Sequence, residues 1–256
     1  MIPKTIHYCW FGKNPLPKLA KKCIASWKKY CPDYSIIEWN EDNFDINSCP
    51  QYVKEAYQEK KWAFVTDYVR LKVVYDNGGI YLDTDVELLK NLNPLLEHDA
   101  YFGIEFNNNL AYIATGLGFG ATKGTDILHE LMEDYVDIPF ILQNGCYDIT
   151  PCPHRNTNIF IKHGFKQTNT EQVIDGKIKI YPTEYFCPLD WRGTKKEITN
   201  NTVSIHWFSA SWYDQDSKKE LERTKIKNKI KQILLKIFGE KLYTKIKNII
   251  KRNHNA

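Results

Sequence analysis

DNGGIYLDTDVELL, residues 76–89, joins a glycine pair, an apolar run from Ile80 to Leu82 and two carboxylates, Asp83 and Asp85, separated by Thr84. The apolar run reads as a short strand. Residues at i and i+2 of a strand share a face, so a bend at Thr84 is enough to bring both carboxylates onto one ion. Hard oxygen ligands of this kind suit Mg2+ or Mn2+, which keep several waters and also ligate substrate phosphates. A metal beside a diphosphate is one reading; a solvated turn with two acidic residues is the other.

With 256 residues and no Gly/Ser-rich or Pro-rich linker, the chain is expected to form one domain with an appendage. Its 43% apolar content places it among globular rather than disordered sequences. The seven cysteines (Cys9, Cys23, Cys31, Cys49, Cys146, Cys152, Cys187) are odd in number and follow no CxxC or zinc-ribbon spacing. They read as reduced thiols of a cytosolic protein. The opening MIPKTIHYCWFG has neither a basic lead nor an apolar core of signal-peptide length, and no run of 18 apolar residues occurs. A cytoplasmic location is the expectation.

Charge is distributed unevenly. Between Lys218 and Arg252 there are 13 Lys or Arg against 3 Glu, a segment charge of +10; the whole chain carries +4, so the remainder carries −6. An acidic body with a basic tail favours surface attachment through the tail over a nucleic-acid groove, in which basic residues would be spread.

Along the chain, Thr5 to Phe11 reads as a strand ending at Gly12, Leu19 to Lys29 as a helix and Tyr34 to Trp39 as a second strand closing at Asn40. Strand, helix, strand at this spacing begins a parallel α/β sheet. A short helix follows near Tyr52 to Glu59. The segment Ala63 to Tyr75 is helical and apolar on most of its circumference, as a buried helix is. Asp67 and Arg70 lie on one face of it, three residues apart. Buried charges need partners, so these two either pair with each other or line a cleft in which they meet a polar ligand.

Asn77, Gly78 and Gly79 stop that helix with a tight turn before the acidic strand end. Ala100 to Glu105 and Tyr112 to Ala121 are further strands by pattern. Thr125 to Val136 and Asn156 to His163 read as helices, and Lys177 to Tyr181 as a short strand. The irregular stretch from Pro139 to Pro153 is the kind of loop on which binding specificity resides. Val203 to His206 is a last apolar strand running into HWFSASW, residues 206–212. His206 at its end is either a third metal ligand or a satisfied structural histidine. Trp207 and Trp212 are core or ligand-covering residues.

From Ser217 to Lys251 the isoleucines and other apolar residues recur at helical spacing, with lysines opposite and a break expected at Gly239. Such a helix packs on the body or lies in a membrane interface with its lysines on anionic headgroups; the charge favours the membrane. A nucleic-acid arm would leave the apolar face unexplained.

Three blocks together resemble glycosyltransferase family 32, the DXD-containing sugar transferases that include capsule-synthesis enzymes, an initiating fungal mannosyltransferase and the glucosylating domain of large clostridial toxins. They are IPKTIHYCWFG at 2–12, AFVTDYVRLKVVYDNGGIYLDTDVELL at 63–89 and HWFSASW at 206–212. The resemblance implies a GT-A fold, in which a Rossmann-like, mostly parallel central sheet is flanked by helices, over residues 1–216. The basic amphipathic helical tail would occupy 217–256. It further implies a nucleotide-sugar donor, UDP-sugar favoured, a divalent Mn2+ or Mg2+, and retention of anomeric configuration.

By position, the resemblance puts Trp10 on the nucleotide base and Asn40 and Tyr81 near the nucleoside. Asp67 and Arg70 match a DxxR helix that binds the donor sugar, and Asp83 and Asp85 match the DXD motif. In the looser C-terminal block, His206 is expected at the metal, Ser209 beside it and Trp212 at the diphosphate. The function expected is transfer of a hexose to a lipid-linked oligosaccharide for a capsule or other surface polysaccharide, on the inner face of the cell membrane. Another surface glycan or a protein is the alternative acceptor. A phosphohydrolase using DTDV as its nucleophile motif fits less well, since Val86 stands where a hydroxyl residue is required. A lipid-surface binding protein with an inactive transferase site is disfavoured by the intact Asp67, Arg70, Asp83 and Asp85.

Overall fold

The computed structural model describes residues 1–107, 109–190 and 196–209, and positions 223, 226, 230 and 233 beyond them. Met1–Pro188 and the segment that begins at Glu197 form one compact unit. Leu189, Asp190 and Lys196 belong with the residues after 212 to a second unit, in which Leu189 and Lys196 form an antiparallel bridge. The four described positions from 223 to 233 are helical and exposed. The rest of the expected tail, the break expected at Gly239 and Trp212 lie outside the described residues.

In chain order the elements are β1 (Thr5–Cys9), α1 (Lys18–Tyr30), β2 (Ser35–Trp39), α2 (Gln51–Gln58), α3 (Trp62–Asn77), β3 (Gly79–Tyr81), β4 (Val86–Leu88), β5 (Ala100–Asn107), β6 (Leu110–Ile113) and β7 (Phe119–Ala121). Then come α4 (Asp126–Glu133), α5 (Cys152–Lys162), β8 (Gln172–Ile174), β9 (Ile178–Tyr181), α6 (Thr183–Phe186) and β10 (Ser204–His206). An eight-stranded sheet runs β2-β1-β3-β7-β5-β9-β8, with β6 paired to β5 off this path. The parallel pairs β1–β2, β1–β3 and β5–β9 set five strands in one direction, as the α/β reading expects; β6, β7 and β8 run against them.

Both faces of this sheet are covered, which is why its strands carry apolar runs rather than alternation. Successive residues enter different cores: Ala100, Phe102 and Ile104 of β5 pack with α3, whereas Tyr101 packs with Ile6, Ile80 and Trp27 on the other face. The glycine pair is required by this packing. Gly79 has φ +113, and a Cβ there would lie 2.8 Å from His7 Nε2 and from the Thr5 carbonyl. His7 is fully buried; its Nδ1 accepts from Trp39 Nε1 at 3.0 Å and its Nε2–H donates to the Gly78 carbonyl at 2.9 Å. Burial lowers the His7 pKa, as a neutral ring with both nitrogens satisfied requires.

One expectation is corrected. Tyr112 to Ala121 is not one strand but β6 and β7, separated by a 3-10 turn over Thr115–Leu117 and by Gly118 at φ +108. The last apolar strand forms as expected, as β10, and pairs antiparallel with β4, a three-residue strand that the sequence pattern did not reveal. α1 supports β4 on its other side, where Trp27 Nε1 donates to the Val86 carbonyl at 2.7 Å and the Leu88 amide donates to Ser26 Oγ at 2.9 Å.

At the C-terminal end of α5, the His163 imidazole joins three elements. Its Nδ1 lies 2.9 Å from Asp175 in the β8–β9 turn and its Nε2 lies 2.9 Å from Glu130 of α4. Both contacts are satisfied as donors only by the imidazolium, and the hydrogen bonds to Glu130 and Asp175 raise its pKa. A raised histidine pKa gives stability that is complete below the unfolded value and is lost as pH rises through the folded one. Melting temperature should therefore fall by a few degrees more between pH 6 and pH 8.5 in the wild type than in His163→Gln; parallel melting curves would refute the contribution.

Candidate active site

β1 and β3 run parallel side by side, so their carboxyl ends open on one edge of the sheet. The Leu82 amide donates to the His7 carbonyl at 3.0 Å, and Asp83 follows directly. Ligands of open α/β sheets gather outside such strand ends. Trp10 and Asn40 follow β1 and β2 on the same edge, joined by the Trp10 amide donating to the Trp39 carbonyl at 2.9 Å. Trp10 is half-buried and its Nε1 donates to the Asn14 carbonyl at 2.6 Å. The Asn40 side chain is committed to its loop, with Nδ2 donating to Glu38 at 2.9 Å and Oδ1 accepting from the Asp42 amide at 2.9 Å.

The remaining described candidates converge. Arg70, buried in α3, places Nη2 3.0 Å from Asp67 and 3.5 Å from Asp83, while its Nε donates to the Thr66 carbonyl at 2.9 Å. Its guanidinium lies over the Tyr81 ring, 5.2 Å from the centroid. Asp67 and Arg70 pair with each other, as the first of the two readings expects, and Arg70 also meets the first DXD carboxylate. Asp85 is held at both oxygens, with His206 Nε2 3.1 Å from Oδ1 and the Ser209 amide donating to Oδ2 at 2.8 Å. Ser209 therefore reaches the DXD motif through its backbone. His206 Nδ1 is buried with no hydrogen-bond partner among the described residues.

One oxygen each of Asp83 and Asp85 and one nitrogen of His206 lie within 4.8 Å of one another. Two carboxylates and an imidazole at this spacing fit a hard divalent cation, the nitrogen suiting Mn2+ more than Ca2+. The electrostatics point the same way. Burial raises the Asp83 carboxyl, Arg70 opposes the rise and the neighbouring Asp85 adds to it. Burial also pushes Asp85 up, but His206 and Ser209 outweigh it and hold that carboxyl well below the usual range. His206 is raised, its burial overcome by Asp85. Three carboxylates (Asp67, Asp83, Asp85) face one guanidinium and one imidazole, so the cluster is anionic even with His206 protonated, and a cation would balance it.

Sequence reasoning missed four residues here. A Cβ on Gly116 would lie 2.7 Å from Asp83 Oδ2 and 3.2 Å from Arg70 Nη1, so the turn after β6 closes directly over the carboxylate. Thr115, Cys152 and Asn156 are buried beside it. The signals were TGLG, whose glycines interrupt the expected strand, and PCP, whose Pro153 marks the first turn of a helix. Gly116→Ala should leave folding intact and lower turnover at least tenfold by displacing Asp83; unchanged turnover at normal donor affinity would show that the carboxylate can yield.

Residues 17–102 match the family described as glycosyltransferase sugar-binding region containing DXD motif. The chain is 33% identical over 107 residues to inositol phosphoceramide mannosyltransferase 3 of Schizosaccharomyces pombe, covering 39% of this chain and 29% of that protein. It is 27% identical over 150 residues to the lactosylceramide 4-alpha-galactosyltransferase of Gorilla gorilla gorilla, covering 58% of this chain and 42% of that one. The chain thus spans less than half the length of these two curated relatives. Among solved structures, PaToxG glycosyltransferase superposes with a TM-score of 0.50 at 18% identity, over 63% of this chain and 69% of the other, and shares the fold. The DXD carboxylates of the matched region stand at the carboxyl edge of a GT-A sheet, and residues 17–102 resemble the sugar-binding region of the DXD-containing glycosyltransferases.

Proposed function

We propose that the protein transfers a hexose from a nucleotide-sugar donor, UDP-sugar favoured, to a lipid-linked oligosaccharide of a capsule or other surface polysaccharide, with retention of anomeric configuration. The observation that carries this reading is the continuous cluster Asp67, Arg70, Asp83, Asp85 and His206, in which a buried Asp67–Arg70 pair adjoins three side chains spaced to hold a cation. A bound Mn2+ or Mg2+ would neutralise charge on the departing diphosphate. Asp83, Asp85 and His206 are the residues to hold it. Asp67 accepts hydrogen bonds from the sugar and Arg70 fixes Asp67 in place, so that the anomeric carbon faces the acceptor. Trp10 stacks on the base, Asn40 and Tyr81 flank the nucleoside, and Trp212 approaches the diphosphate.

In the proposed step the acceptor oxygen bonds to the anomeric carbon on the face from which the diphosphate oxygen leaves. The leaving phosphate oxygen takes the acceptor proton. A screen of UDP-sugars and GDP-sugars for metal-dependent hydrolysis tests the activity; turnover of phosphate monoesters instead would favour a phosphohydrolase. A covalent glycosyl adduct trapped on a carboxylate would rule out the front-face step.

The lipid-linked acceptor is supported by two relatives whose names contain inositol phosphoceramide and lactosylceramide. It is also supported by the tail. Ile226, Ile230 and Ile233 are exposed helical residues at i, i+4 and i+7, within a segment of charge +10. No helix among the described residues is long and apolar enough to cross a membrane. A tail over 217–256 that lies on anionic lipid would hold the body, 1–216, at the inner face of the cell membrane, without nucleic acid as a partner. Truncation after Ser217 should release the protein from vesicles containing anionic lipid and leave donor hydrolysis intact; undiminished vesicle binding would refute the tail's role.

A further inference from the structure

The turn from His206 to Ser209 borders the cation site, and its backbone is strained. Phe208 has φ +47, in the left-handed region that a bulky residue adopts only where its surroundings impose it. That turn lets the chain meet Asp85 three times. The Trp207 amide donates to the Asp85 carbonyl at 3.0 Å, the Ser209 amide donates to Oδ2 at 2.8 Å, and His206 Nε2 lies 3.1 Å from Oδ1. The register of β10 on β4 sets His206 opposite Val86 and Ile205 opposite Glu87. Trp207 and Glu87 are therefore diagonal neighbours, within reach of long side chains. Trp207 Nε1 donates to Glu87 Oε2 at 2.9 Å. Lys22 Nζ of α1 donates to the same oxygen at 2.8 Å and lies over the indole, 5.1 Å from the ring centroid. Trp27 and Ser26, on the same helix, bond the backbone at Val86 and Leu88, so Glu87 stands on a strand that α1 holds in place.

We propose that Glu87 is a positioning residue for the cation site. By fixing the Trp207 indole, it holds the left-handed turn at Phe208 and so keeps the Ser209 amide and His206 on Asp85. This role rests on the reading of Asp83, Asp85 and His206 as metal ligands and extends it to a residue outside that cluster. What Trp207 needs from Glu87 is an acceptor oxygen rather than a charge. The Lys22 side chain is exposed, and an exposed ion pair contributes little. The indole N–H, in contrast, meets its acceptor where both side chains are partly buried. Outer partners of this kind set the orientation of metal ligands, and their loss lowers metal affinity although the ligands themselves remain.

Binding of Mn2+ alone to the full chain, read by electron paramagnetic resonance, tests the role without any donor. Glu87→Ala should weaken the Mn2+ Kd roughly 3- to 10-fold, the order of one hydrogen bond. Trp207→Phe, which keeps an aromatic ring and removes the N–H, should weaken it by the same factor. The double variant should bind no more weakly than either single one, because both remove one contact. Glu87→Gln keeps an acceptor oxygen for the indole and should bind within about twofold of wild type. Melting temperatures of all four should stay within about 3 °C of wild type, as for substitutions near the surface. Wild-type affinity in Glu87→Ala would overturn the proposal. So would additive losses in the double variant, equal losses in Glu87→Gln and Glu87→Ala, or a melting temperature that falls along with the affinity, since each assigns the effect to charge or packing. If the wild type binds no Mn2+, the cation-site reading fails and this role fails with it. If Asp85→Asn weakens Mn2+ binding and Glu87→Ala does not, only the role of Glu87 fails.

Discussion

Arg70→Met should cost the fold about 3–5 kcal/mol, the range for removing one partner of a buried ion pair, and lower the melting temperature by roughly 6–20 °C. The reason is geometric. The Arg70 side chain is 5% exposed and lies between Asp67 at 3.0 Å and Asp83 at 3.5 Å, so its loss leaves the buried Asp67 and the partly buried Asp83 without their shared cation. Methionine fills the volume over the Tyr81 ring, which confines the effect to charge and hydrogen bonding. Arg70→Lys keeps the charge but not the planar fork that reaches Asp67, Asp83 and the Thr66 carbonyl together. An intermediate loss is expected from it. Thermal melts of the three proteins check this, and an Arg70→Met variant as stable as wild type would show that Asp67 and Asp83 are not ionised together in the folded protein.

The second large effect falls on turnover rather than stability. Asp85→Asn should reduce metal-dependent donor hydrolysis roughly 100- to 1,000-fold, the scale of losing a cation's stabilisation of a leaving group. The side-chain oxygen of asparagine can still accept from the Ser209 amide or meet His206, contacts that hold Asp85 at 2.8 and 3.1 Å, so the local fold should survive. What is lost is the charge that opposes the cation. Steady-state hydrolysis with added Mn2+ reads the effect, and a variant with wild-type rate would place the metal elsewhere.

How much of this was legible depends on how locally each feature is encoded. Gly78 and Gly79 followed by Ile80 to Asp85 can be read without the rest of the chain. The helix stop, the buried strand and the paired carboxylates all lie within ten residues, and the close approach of His7 explains the glycines. The burial of α3 was equally plain from its apolar circumference. The Asp67–Arg70 pair was ambiguous because its second partner, Asp83, depends on how α3 packs against the end of β3.

Features assembled from distant segments were not legible. β4 is three residues long and exists because Trp27 and Ser26 of α1 support one side and β10, from near the end of the described body, pairs with the other. Nothing in Val86–Leu88 alone states this. The break at Thr115–Leu117 was announced by its glycines but outweighed by the β-forming residues around them. Cys152 read as one more reduced thiol in an irregular loop, and only the fold brings it to Thr115. Ser209 was expected beside the metal, and it is its amide that makes the contact with Asp85, which no side-chain pattern can show.

The central claim is that Asp83, Asp85 and His206 form a cation site completed by a nucleoside diphosphate. Electron paramagnetic resonance of Mn2+ titrated with the full chain, with and without UDP, tests it most directly. The expected result is loss of the free Mn2+ signal on adding protein, tighter binding when UDP is present, and recovery of the free signal in Asp85→Asn. A free Mn2+ signal that wild type and Asp85→Asn reduce equally, with UDP present, would contradict it.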